Sequence, residues 1–379
     1  MKTVLIDARM YGLAHAGIGR YIMNLIGNLP KDSREIKYQL IVIADQLTQI
    51  KKELGNSFEY IPARSKHYSI AEQFELPRLI LKANPDVVHF PHFNAPLICP
   101  KAYVITIHDL IKHYFRGKKT TTKNPLLYWP KYFSYRLLSN LVIKRSKAII
   151  VPSHWWKDKL YEDFGIAKSK VSVTWEGVGE RFLNTKPVDQ KKVIEKYKLK
   201  EKKFFVYTGS VYPHKNVERL IKAVKNMNIS EVSLVIVCSR NAFSEKLAKT
   251  IKALGAEKRI KFLGFVPDDE LKALYAGCLG LVQPSLMEGF GLTGLEAMAS
   301  DCPVISSSFS CLPEIYGDAA IYFNPKNIAE MTKVLEMVAD NQSLRKSLIA
   351  KGRKQLKKYS WQKTVQKTVK VYQKVFDEK

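Results

Sequence analysis

Short runs of β-branched and other apolar residues alternate with helical patterns along the chain, and this alternation constrains the fold most. Runs such as TVLID (3–7) and YVITIHD (103–109) have the length of buried strands, and GIGRYIMNLIGNLP (17–30) has the spacing of a helix. Strands that alternate with helices form parallel sheets covered on both faces. The alternation starts again at FFVYTGS (204–210). The sequence therefore predicts an α/β protein with two Rossmann-like units in tandem.

The length of 379 residues also favours two domains, because single hydrophobic cores rarely grow beyond about 250–300 residues. A polar, highly charged stretch over 181–203 separates the two alternating series. We expect one domain over 1–185 and a second over 186–355. The remaining segment, 356–379, has a helical pattern and is expected to pack back toward the N-terminal domain.

The chain is strongly basic, with 62 Lys and Arg against 35 Asp and Glu and a formal net charge of +27. Such a charge favours an anionic partner, either nucleic acid, a membrane surface or a phosphorylated substrate. The segment 112–159 contains twelve Lys or Arg, nine aromatic residues and one acid, Asp158. This mixture suits an anionic membrane interface or, less well, single-stranded nucleic acid. Alternatively, the segment is a solvated basic helix whose aromatic residues are core.

Cysteine usage and hydropathy favour a reduced, cytoplasmic location. The five cysteines lie in apolar surroundings without C-x-x-C spacing and are predicted to be reduced core residues. The N terminus has no apolar stretch of signal-peptide length, and no window reaches the 18 or so apolar residues of a spanning helix. Any membrane contact is therefore expected to be peripheral. The eight His are scattered and neither H-E-x-x-H nor a convincing D-x-D occurs, so no metal site is predicted.

The stretch SLMEGFGLTGLEAMASDCPV (285–304) contains two spaced glycines ahead of an apolar helical run that begins near Leu292. A strand-to-helix turn of this kind lies at the carboxyl edge of a parallel sheet, where open α/β folds bind ligands. Gly289 and Gly291 allow unusual φ values, and they let a phosphate approach main-chain N–H groups at the helix N terminus. The stretch therefore predicts a diphosphate site.

Two acids, Glu288 and Glu296, lie eight residues apart around the same turn. Helical side chains lean toward the helix N terminus, so the Glu296 carboxylate can reach the crevice of Glu288, and carboxylates accept sugar hydroxyls. Taken alone, Glu296 could equally complement the helix dipole while Glu288 is a solvated loop acid. The spacing leaves both interpretations open.

A second turn, YTGSVYPHKNVERLIKA (207–223), leads from a strand through Gly209 into a helix, with Lys215 at the end of the loop. A lysine there is placed to neutralise a diphosphate leaving group, and His214 is a candidate to share that task. Without further context, Lys215 would be a surface lysine at a helix start.

The string EGFGLTGLEAMA followed by CPVISS, with PEI and GDAAIYFNP downstream, resembles the signature of retaining glycosyltransferases of family 4. That resemblance implies the GT-B fold, with two Rossmann-like domains facing each other across a cleft. It implies an acceptor-binding N-terminal domain, a C-terminal domain that binds the nucleotide sugar, and a last helix that crosses the cleft. Glu288 would contact the donor sugar and Glu296 the ribose. Asp301 departs from the family, which more often has Gly there.

The resemblance also supplies roles for further residues. The loop from Gly209 to Lys215 looks like that of a mannosyltransferase-like subgroup, although His214 replaces the usual Arg. A family His at the position of His108 contacts the donor sugar, so His108, Lys215 and Glu288 are the predicted catalytic residues. The donor-binding residues implied are Gly17, Gly19, Gly209, Ser210, His214, Phe290, Gly291, Leu292, Thr293 and Glu296. His89 and His92 are weaker candidates, equally suited to packing.

The function implied is retaining transfer of a hexose, mannose or glucose, to a hydroxyl of a lipid-linked or polysaccharide precursor. GDP-mannose is the first choice of donor and UDP-glucose the second, with no cofactor and no essential metal. The expected location is the cytoplasm, with the inner face of the plasma membrane as a peripheral site. A GT-B phosphorylase or a sugar-nucleotide epimerase would use the same cleft. A basic nucleic-acid-binding protein is more remote, because it leaves the glycine turns and the paired acids unexplained.

Overall fold

The computed structural model describes residues 1–30, 35–117, 121, 125–183, 189–199, 203–239 and 242–378. The chain divides into two compact units, and the division is not a single cut. The first unit comprises Met1–Leu110, Lys123–Gly177 and Ser360–Lys379, and the second comprises Ile111–Thr122 and Val178–Tyr359. The predicted boundary between 185 and 186 lies outside the described residues.

Thirteen strands form two sheets in the described part of the chain, and every strand pairing is parallel. The α/β class and the two-unit organisation predicted from the alternation are therefore confirmed. The strands are β1 Lys2–Asp7, β2 Ile36–Ile43, β3 Glu59–Ala63, β4 Val87–Phe90, β5 Tyr103–Thr106, β6 Ala148–Val151, β7 Val171–Val173, β8 Lys203–Thr208, β9 Val232–Val237, β10 Ile260–Gly264, β11 Gly280–Gln283, β12 Val304–Ser307 and β13 Ala320–Phe323.

Helices connect the strands, as the periodic segments predicted. None in the described part of the chain combines the length and hydropathy needed to cross a bilayer. The helices are α1 Ala16–Gly27, α2 Leu47–Leu54, α3 Glu72–Ala83, α4 Ile111–Tyr114, α5 Pro125–Arg145, α6 His154–Phe164, α7 Glu180–Leu183, α8 Gln190–Lys196, α9 Val217–Asn226, α10 Ala242–Ala253, α11 Asp268–Gly277, α12 Leu292–Ala299, α13 Leu312–Tyr316, α14 Ile328–Asp340, α15 Gln342–Leu356 and α16 Trp361–Asp377.

In both sheets the strand order reverses beside the first strand. The first sheet has the order β3-β2-β1-β4-β5-β6-β7, and the second has β10-β9-β8-β11-β12-β13. The reversal leaves the carboxyl ends of β1 and β4, and of β8 and β11, as the topological switch points at which open α/β sheets bind ligands. The chain thus offers one candidate crevice in each unit.

The last helix, α16, completes the core of the first unit. Its buried side chains include Trp361, Val365, Tyr372 and Val375, which pack in one cluster with residues of β1, β2 and α1. The Tyr372 hydroxyl also lies 2.6 Å from Nδ1 of the buried His89. Burying each large apolar side chain stabilises a fold by about 1.5–3 kcal/mol, so α16 is an integral part of this unit.

The expectation of core cysteines is correct for three of the five residues. Cys238, Cys302 and Cys311 are buried, whereas Cys99 and Cys278 are only half-buried. Asp301, which follows α12, has φ +53°. It takes the left-handed conformation that Asp tolerates at a helix end, and its carboxylate accepts two hydrogen bonds of 2.7 Å from Arg353.

Candidate functional site

The structure brings Lys215 and Glu288 together at the switch point of the second sheet. Lys215 ends the 3-10 turn Pro213–Lys215 after β8, and Glu288 lies in the loop after β11. The Lys215 Nζ is 2.7 Å from Glu288 Oε2, with the two side chains 20% and 9% exposed. The main chains are joined as well, because Leu286 N donates to the His214 carbonyl at 2.8 Å. Three predicted residues, Lys215, His214 and Glu288, thus belong to one site.

Glu288 is a buried acid held in its ionised form. Ser285 Oγ and Gln283 Nε2 donate to Oε1 at 2.6 and 3.1 Å, while Lys215 donates to Oε2. Burial alone would raise the pKa of Glu288, but the charge of Lys215 and these hydrogen bonds hold it below its usual value. An ionised carboxylate is acceptor-only, which suits it to receive hydroxyl donors.

Asn216, which the motif analysis passed over, ties three loops of this site together. Its side-chain amide donates to the Pro284 carbonyl at 3.0 Å and to the Pro325 carbonyl at 2.7 Å, and its Oδ1 accepts from Arg219 at 2.8 Å. The residue is buried and has φ +60°, a conformation that Asn tolerates better than most residues. Asn216 therefore holds the main chain next to Lys215 in place.

The turn before α12 is fixed by a buried tyrosine. Gly291 has φ +109°, and its carbonyl lies 2.6 Å from the Tyr316 hydroxyl. A Cβ added to Gly294 would lie 2.3 Å from a ring carbon of Tyr316, so this glycine is required by close packing. The ring thereby sets the first turn of α12, where Leu292 and Thr293 present main-chain N–H groups at the helix N terminus.

Glu296 is engaged by an arginine that the sequence analysis missed. The Glu296 side chain is 14% exposed, and its Oε1 lies 3.5 Å from Arg181 Nη2. Arg181, in α7, also forms an ion pair with Asp268. The Glu296 carboxylate therefore lies beside a positive charge.

His214 does not supply the second charge expected of this loop. Burial, reinforced by the neighbouring charge of Lys215, lowers the pKa of His214 to about 4, so the ring is neutral near pH 7. It stacks on Tyr212 with ring centroids 6.0 Å apart, and lies 5.7 Å from the Phe115 ring. The His214 ring is thus an uncharged aromatic contact in this structure.

The other predicted donor-binding residues of the second unit differ in what they can offer. Gly209 has φ +137°, and Ser210 uses its carbonyl to accept a hydrogen bond from the Tyr207 hydroxyl. The Phe290 side chain is buried and packs edge-on against Tyr359 at 5.8 Å. That side chain is core, so only the main chain of Phe290 is available to a donor.

In the first unit, His108 is paired with an acid that the sequence analysis also missed. His108 Nδ1 lies 3.2 Å from Glu176 Oε1, and Nε2 lies 3.0 Å from the Pro91 carbonyl. Burial alone would lower the pKa of His108, but Glu176 and the carbonyl raise it above its usual value. Since both partners accept hydrogen bonds, the ring is suited to donate through both nitrogens as an imidazolium. The signal for Glu176 was its position after β7, at the same sheet edge.

The two glycines of GIGRY lie in the first turn of α1. A Cβ on Gly19 would come within 1.9 Å of the Gly12 carbonyl oxygen, whereas a Cβ on Gly17 would meet nothing within 4 Å. Gly19 is therefore required by packing. His89 is a packing residue, fully buried between Thr106 and Tyr372.

A buried ionic cluster lies at the switch point of the first sheet. No sequence pattern predicted it apart from DAR (7–9), which begins at the last residue of β1. Arg9, which is 1% exposed, donates to Asp7 at 2.8 Å and to Glu72 at 2.9 Å. Asn94 donates to the same Glu72 oxygen at 3.0 Å. The cluster gives the first unit a rigid polar crevice edge. In the described part of the chain, no group of three or more His, Cys, Asp or Glu is placed to hold a metal ion.

Comparison with known proteins assigns both halves of the chain. The family model for glycosyl transferases group 1 matches residues 189–355, and the model for Glycosyltransferase Family 4 matches residues 15–180. The chain is 31% identical over 267 residues to the O-antigen chain mannosyltransferase RfbU of Salmonella typhimurium, covering 69% of each protein. The protein belongs to glycosyltransferase family 4. The O-antigen chain mannosyltransferase B of Escherichia coli is 26% identical over 372 residues, which cover 94% of this chain and 95% of that protein.

Solved structures share the fold of this glycosyltransferase over its whole length. A glycosyltransferase from Rickettsia africae matches with a TM-score of 0.74 at 17% identity, covering 100% of this chain and 99% of that one. Anabaena HepE in complex with UDP matches with a TM-score of 0.72 at 18% identity, covering 99% and 100%. The fold is therefore GT-B, with two parallel-sheet α/β domains, as the resemblance implied.

Proposed function

We propose that this glycosyltransferase transfers mannose from GDP-mannose, with retention of the anomeric configuration, to a hydroxyl of a lipid-linked or polysaccharide precursor. The observation that carries the proposal is the buried Lys215–Glu288 pair beside the N terminus of α12. The names of the relatives, O-antigen mannosyltransferases, support mannose and a polysaccharide product. UDP-glucose is the second choice of donor, and UDP in HepE supports a nucleotide-sugar site in this fold.

The second unit would hold the donor. The first-turn N–H groups of α12 and the Lys215 ammonium would bind the diphosphate. Glu288 would accept hydrogen bonds from hydroxyls of the sugar, and Glu296 would accept them from hydroxyls of the ribose. A diphosphate would compete with Glu288 for the lysine, and its charge would raise the pKa of the neighbouring His214. Protonated His214 would then add the second positive charge that the ligand-free loop lacks.

Transfer with retention requires no protein nucleophile in this proposal. The acceptor hydroxyl oxygen forms the new bond to the anomeric carbon on the face from which the diphosphate departs. The electron pair of the broken C–O bond goes to the diphosphate oxygen, which also takes the proton of the acceptor hydroxyl. Lys215 and the helix N terminus would stabilise the developing negative charge, a contribution usually worth several kcal/mol. The roles of His108, Gly17 and Gly19 in donor binding stay predictions.

The acceptor would bind to the first unit, and its lipid carrier would bring the enzyme to the inner face of the plasma membrane. The proposal includes no cofactor and no essential metal, because Lys215 and the α12 N terminus supply positive charge at the leaving group. Chelation with EDTA should therefore leave turnover unchanged, and a loss restored by Mg²⁺ would contradict this part of the proposal.

A thermal-shift panel of nucleotide sugars tests the donor site. A ligand at 100 times its Kd should stabilise the protein by about 2.7 kcal/mol. At equal concentrations, GDP-mannose should raise the melting temperature more than UDP-glucose does, because we expect it to bind more tightly. Glu296→Ala should weaken the shift. Glu257→Ala is the matched control, because this exposed glutamate precedes β10, at the amino edge of the same sheet. An equal shift in both variants would contradict the assignment of Glu296.

Product analysis separates the alternatives. A mannoside whose anomeric NMR coupling matches that of the donor supports retention, whereas the opposite anomer refutes it. Sugar phosphate formed when phosphate replaces the acceptor would indicate a phosphorylase, and an epimerised nucleotide sugar would indicate an epimerase. Glu288→Ala and Lys215→Ala should each abolish release of the nucleotide diphosphate. Wild-type turnover in both would reject the site.

A further inference from the structure

Two of the five cysteines are in contact in the second unit. Cys278 Sγ lies 3.3 Å from Cys302 Sγ, although the two residues are 24 positions apart in the sequence. Cys278 is half-buried, Cys302 is buried, and both are free thiols. Thiols at this distance need to approach by only about 1.3 Å to reach the length of an S–S bond. The pair is therefore placed to form a disulfide.

The second sheet holds the main chain beside each of these thiols. β11 and β12 are parallel neighbours in which Leu281 is paired with Val304, and Leu281 N donates to the Pro303 carbonyl at 2.9 Å. Cys278 lies two positions before β11, and Cys302 lies two positions before β12. Because main-chain hydrogen bonds set this register, the two thiols stay opposite each other.

The two thiols differ in how easily a reagent can reach them. Cys278 directly follows α11, and its Sγ donates to the Tyr275 carbonyl at 3.2 Å. Cys302 is 1% exposed, and burial raises the pKa of its thiol well above the usual value. Since the thiolate is the reactive form, Cys278 is the thiol that would react first with an oxidant.

The position of Cys278 also predicts that this reaction is slow. The residue follows the C terminus of a helix, where the dipole carries partial negative charge and disfavours a thiolate. The reactive cysteines of redox sensors lie instead in electropositive surroundings. We therefore expect oxidation at millimolar rather than micromolar concentrations of peroxide.

We propose that Cys278 and Cys302 are a site of oxidative modification, at which a peroxide converts the two thiols to a reversible disulfide. With hydrogen peroxide, the Cys278 sulfur takes an oxygen as the O–O bond breaks, which yields a sulfenic acid and one water. The Cys302 sulfur then bonds to the Cys278 sulfur, and the S–O bond breaks. The hydroxide that leaves takes the Cys302 proton and becomes a second water. The thiols lose two electrons in total, and the peroxide gains two.

The disulfide would close a covalent loop around the candidate donor turn. The 23 residues from Leu279 to Asp301 include Glu288, Gly291 and Glu296. The two sulfurs lie at the amino edge of the sheet, and the four residues of β11 separate them from the carboxyl edge by about 10 Å. The modification should therefore stabilise the second unit without changing the contacts proposed for the donor. This inference does not depend on which donor the enzyme uses.

Peptide mass spectrometry under non-reducing conditions tests the proposal with the full-length protein. No Lys or Arg lies between 273 and 325, so the protein is digested with a protease that cleaves after Glu288 and Glu296. After treatment with millimolar hydrogen peroxide, wild type should yield a cross-linked pair of peptides that dithiothreitol separates. Fragment ions should place the link on Cys278 and Cys302, and not on Cys311. The oxidised protein should also melt about 5–10 °C higher than the reduced one.

Two variants separate the roles of the thiols. Cys302→Ala should stop the reaction at a sulfenic acid on Cys278, which dimedone traps as an adduct, whereas Cys278→Ser should leave Cys302 without an adduct. Neither variant should gain melting temperature on oxidation. Cys99→Ser is the control, because Cys99 is a half-buried cysteine of the first unit and its removal should leave the disulfide unchanged.

Several results would overturn the proposal. These are two free thiols at Cys278 and Cys302 after peroxide treatment, a link from either residue to another cysteine, and a disulfide-linked dimer. GDP-mannose should raise the melting temperature of the oxidised and the reduced protein equally, and loss of that shift on oxidation would contradict the separation between the sulfurs and the donor. A protein that forms the disulfide but binds no nucleotide sugar would reject the proposed donor site and leave the modification site standing.

Discussion

Removing the charge of Lys215 should destabilise the second unit and abolish turnover, and the two effects have one cause. Lys215→Met keeps most of the side-chain volume but removes the cation beside the buried Glu288 carboxylate, while the neutral donors Ser285 and Gln283 stay in place. A buried acid without its cation either remains charged at a cost or takes up a proton. Either outcome removes stability that the wild type has at pH 7.

The distance and burial of the pair set the magnitude. Two unit charges at 2.7 Å attract by about 6 kcal/mol at an effective dielectric constant of about 20. Desolvation offsets most of this, and a hydrogen bond to a charged group contributes about 1.5–3 kcal/mol net. Lys215→Met should therefore cost about 3 kcal/mol, which lowers the melting temperature of a unit of this size by about 6–12 °C.

A double-mutant cycle measures the coupling directly. Urea unfolding at pH 7 is measured for Lys215→Met, Glu288→Gln and the double variant. The sum of the two single losses in unfolding free energy should exceed the loss in the double variant by about 2 kcal/mol. The control cycle uses Lys222→Met and Glu218→Gln. That pair, at 3.4 Å with side chains 39% and 60% exposed, should couple by no more than about 0.5 kcal/mol.

Turnover completes the test. Loss of one preorganised charge at the leaving group should lower kcat by about 10²–10³-fold, while Lys222→Met should leave it unchanged. Additive costs in the Lys215–Glu288 cycle, to within about 0.3–0.5 kcal/mol, would refute the electrostatic reasoning. Wild-type kcat in Lys215→Met would refute the assignment of the leaving-group site.

Three further predictions follow from contacts in the two units. Asn216→Asp places a carboxylate oxygen against two carbonyls and should cost at least about 2 kcal/mol in urea unfolding, whereas Asn216→Gly keeps the positive φ and should cost less; equal costs would contradict the three-loop role. Gly294→Ala drives a methyl into a buried ring and should cost about 1–3 kcal/mol by the same assay, while Gly27→Ala, whose Cβ meets nothing within 4 Å, should be neutral or stabilising. The raised pKa of His108 contributes stability that is fully present below the pKa of an unfolded His, near 6.5, and is lost as pH rises through the pKa of the folded protein. The difference in unfolding free energy between wild type and Glu176→Gln should therefore be larger at about pH 6 than at about pH 9. A difference independent of pH would contradict the ion pair.

The sequence was sufficient to predict those features that depend on residues close together in the chain. β-Branched runs predicted the parallel strands, and the glycine-spaced turn predicted the start of α12 at Leu292, which the structure confirms. Lys215 and Glu288 were each predicted to face one crevice, because the carboxyl ends of parallel strands share an edge. Their direct pairing depends on the order of β8 and β11 in the sheet, which no local pattern encodes.

The residues that the sequence analysis missed act across long separations in the chain. Arg181 reaches Glu296, and Asn216 reaches the Pro325 carbonyl, so neither has a recognisable spacing. The inward orientation of the Phe290 side chain against Tyr359 could not be predicted either, although the residue lies within a matching motif; its role in donor binding stays a prediction. The lowered pKa of His214 could not be predicted either, because it depends on burial, which no sequence pattern reports.

Because the chain returns to the first unit at Ser360, the two units are not formed by two consecutive stretches of sequence. The core of the first unit is incomplete during synthesis until α16 has been made. All strands of the second unit have been synthesised before that point, although this unit lies later in the sequence. A Cβ on Gly177 would lie 2.3 Å from Trp361 N, which places the outgoing and returning segments side by side. A truncation that removes α16 would therefore uncover the core of the first unit, although the cut lies in the last residues of the sequence.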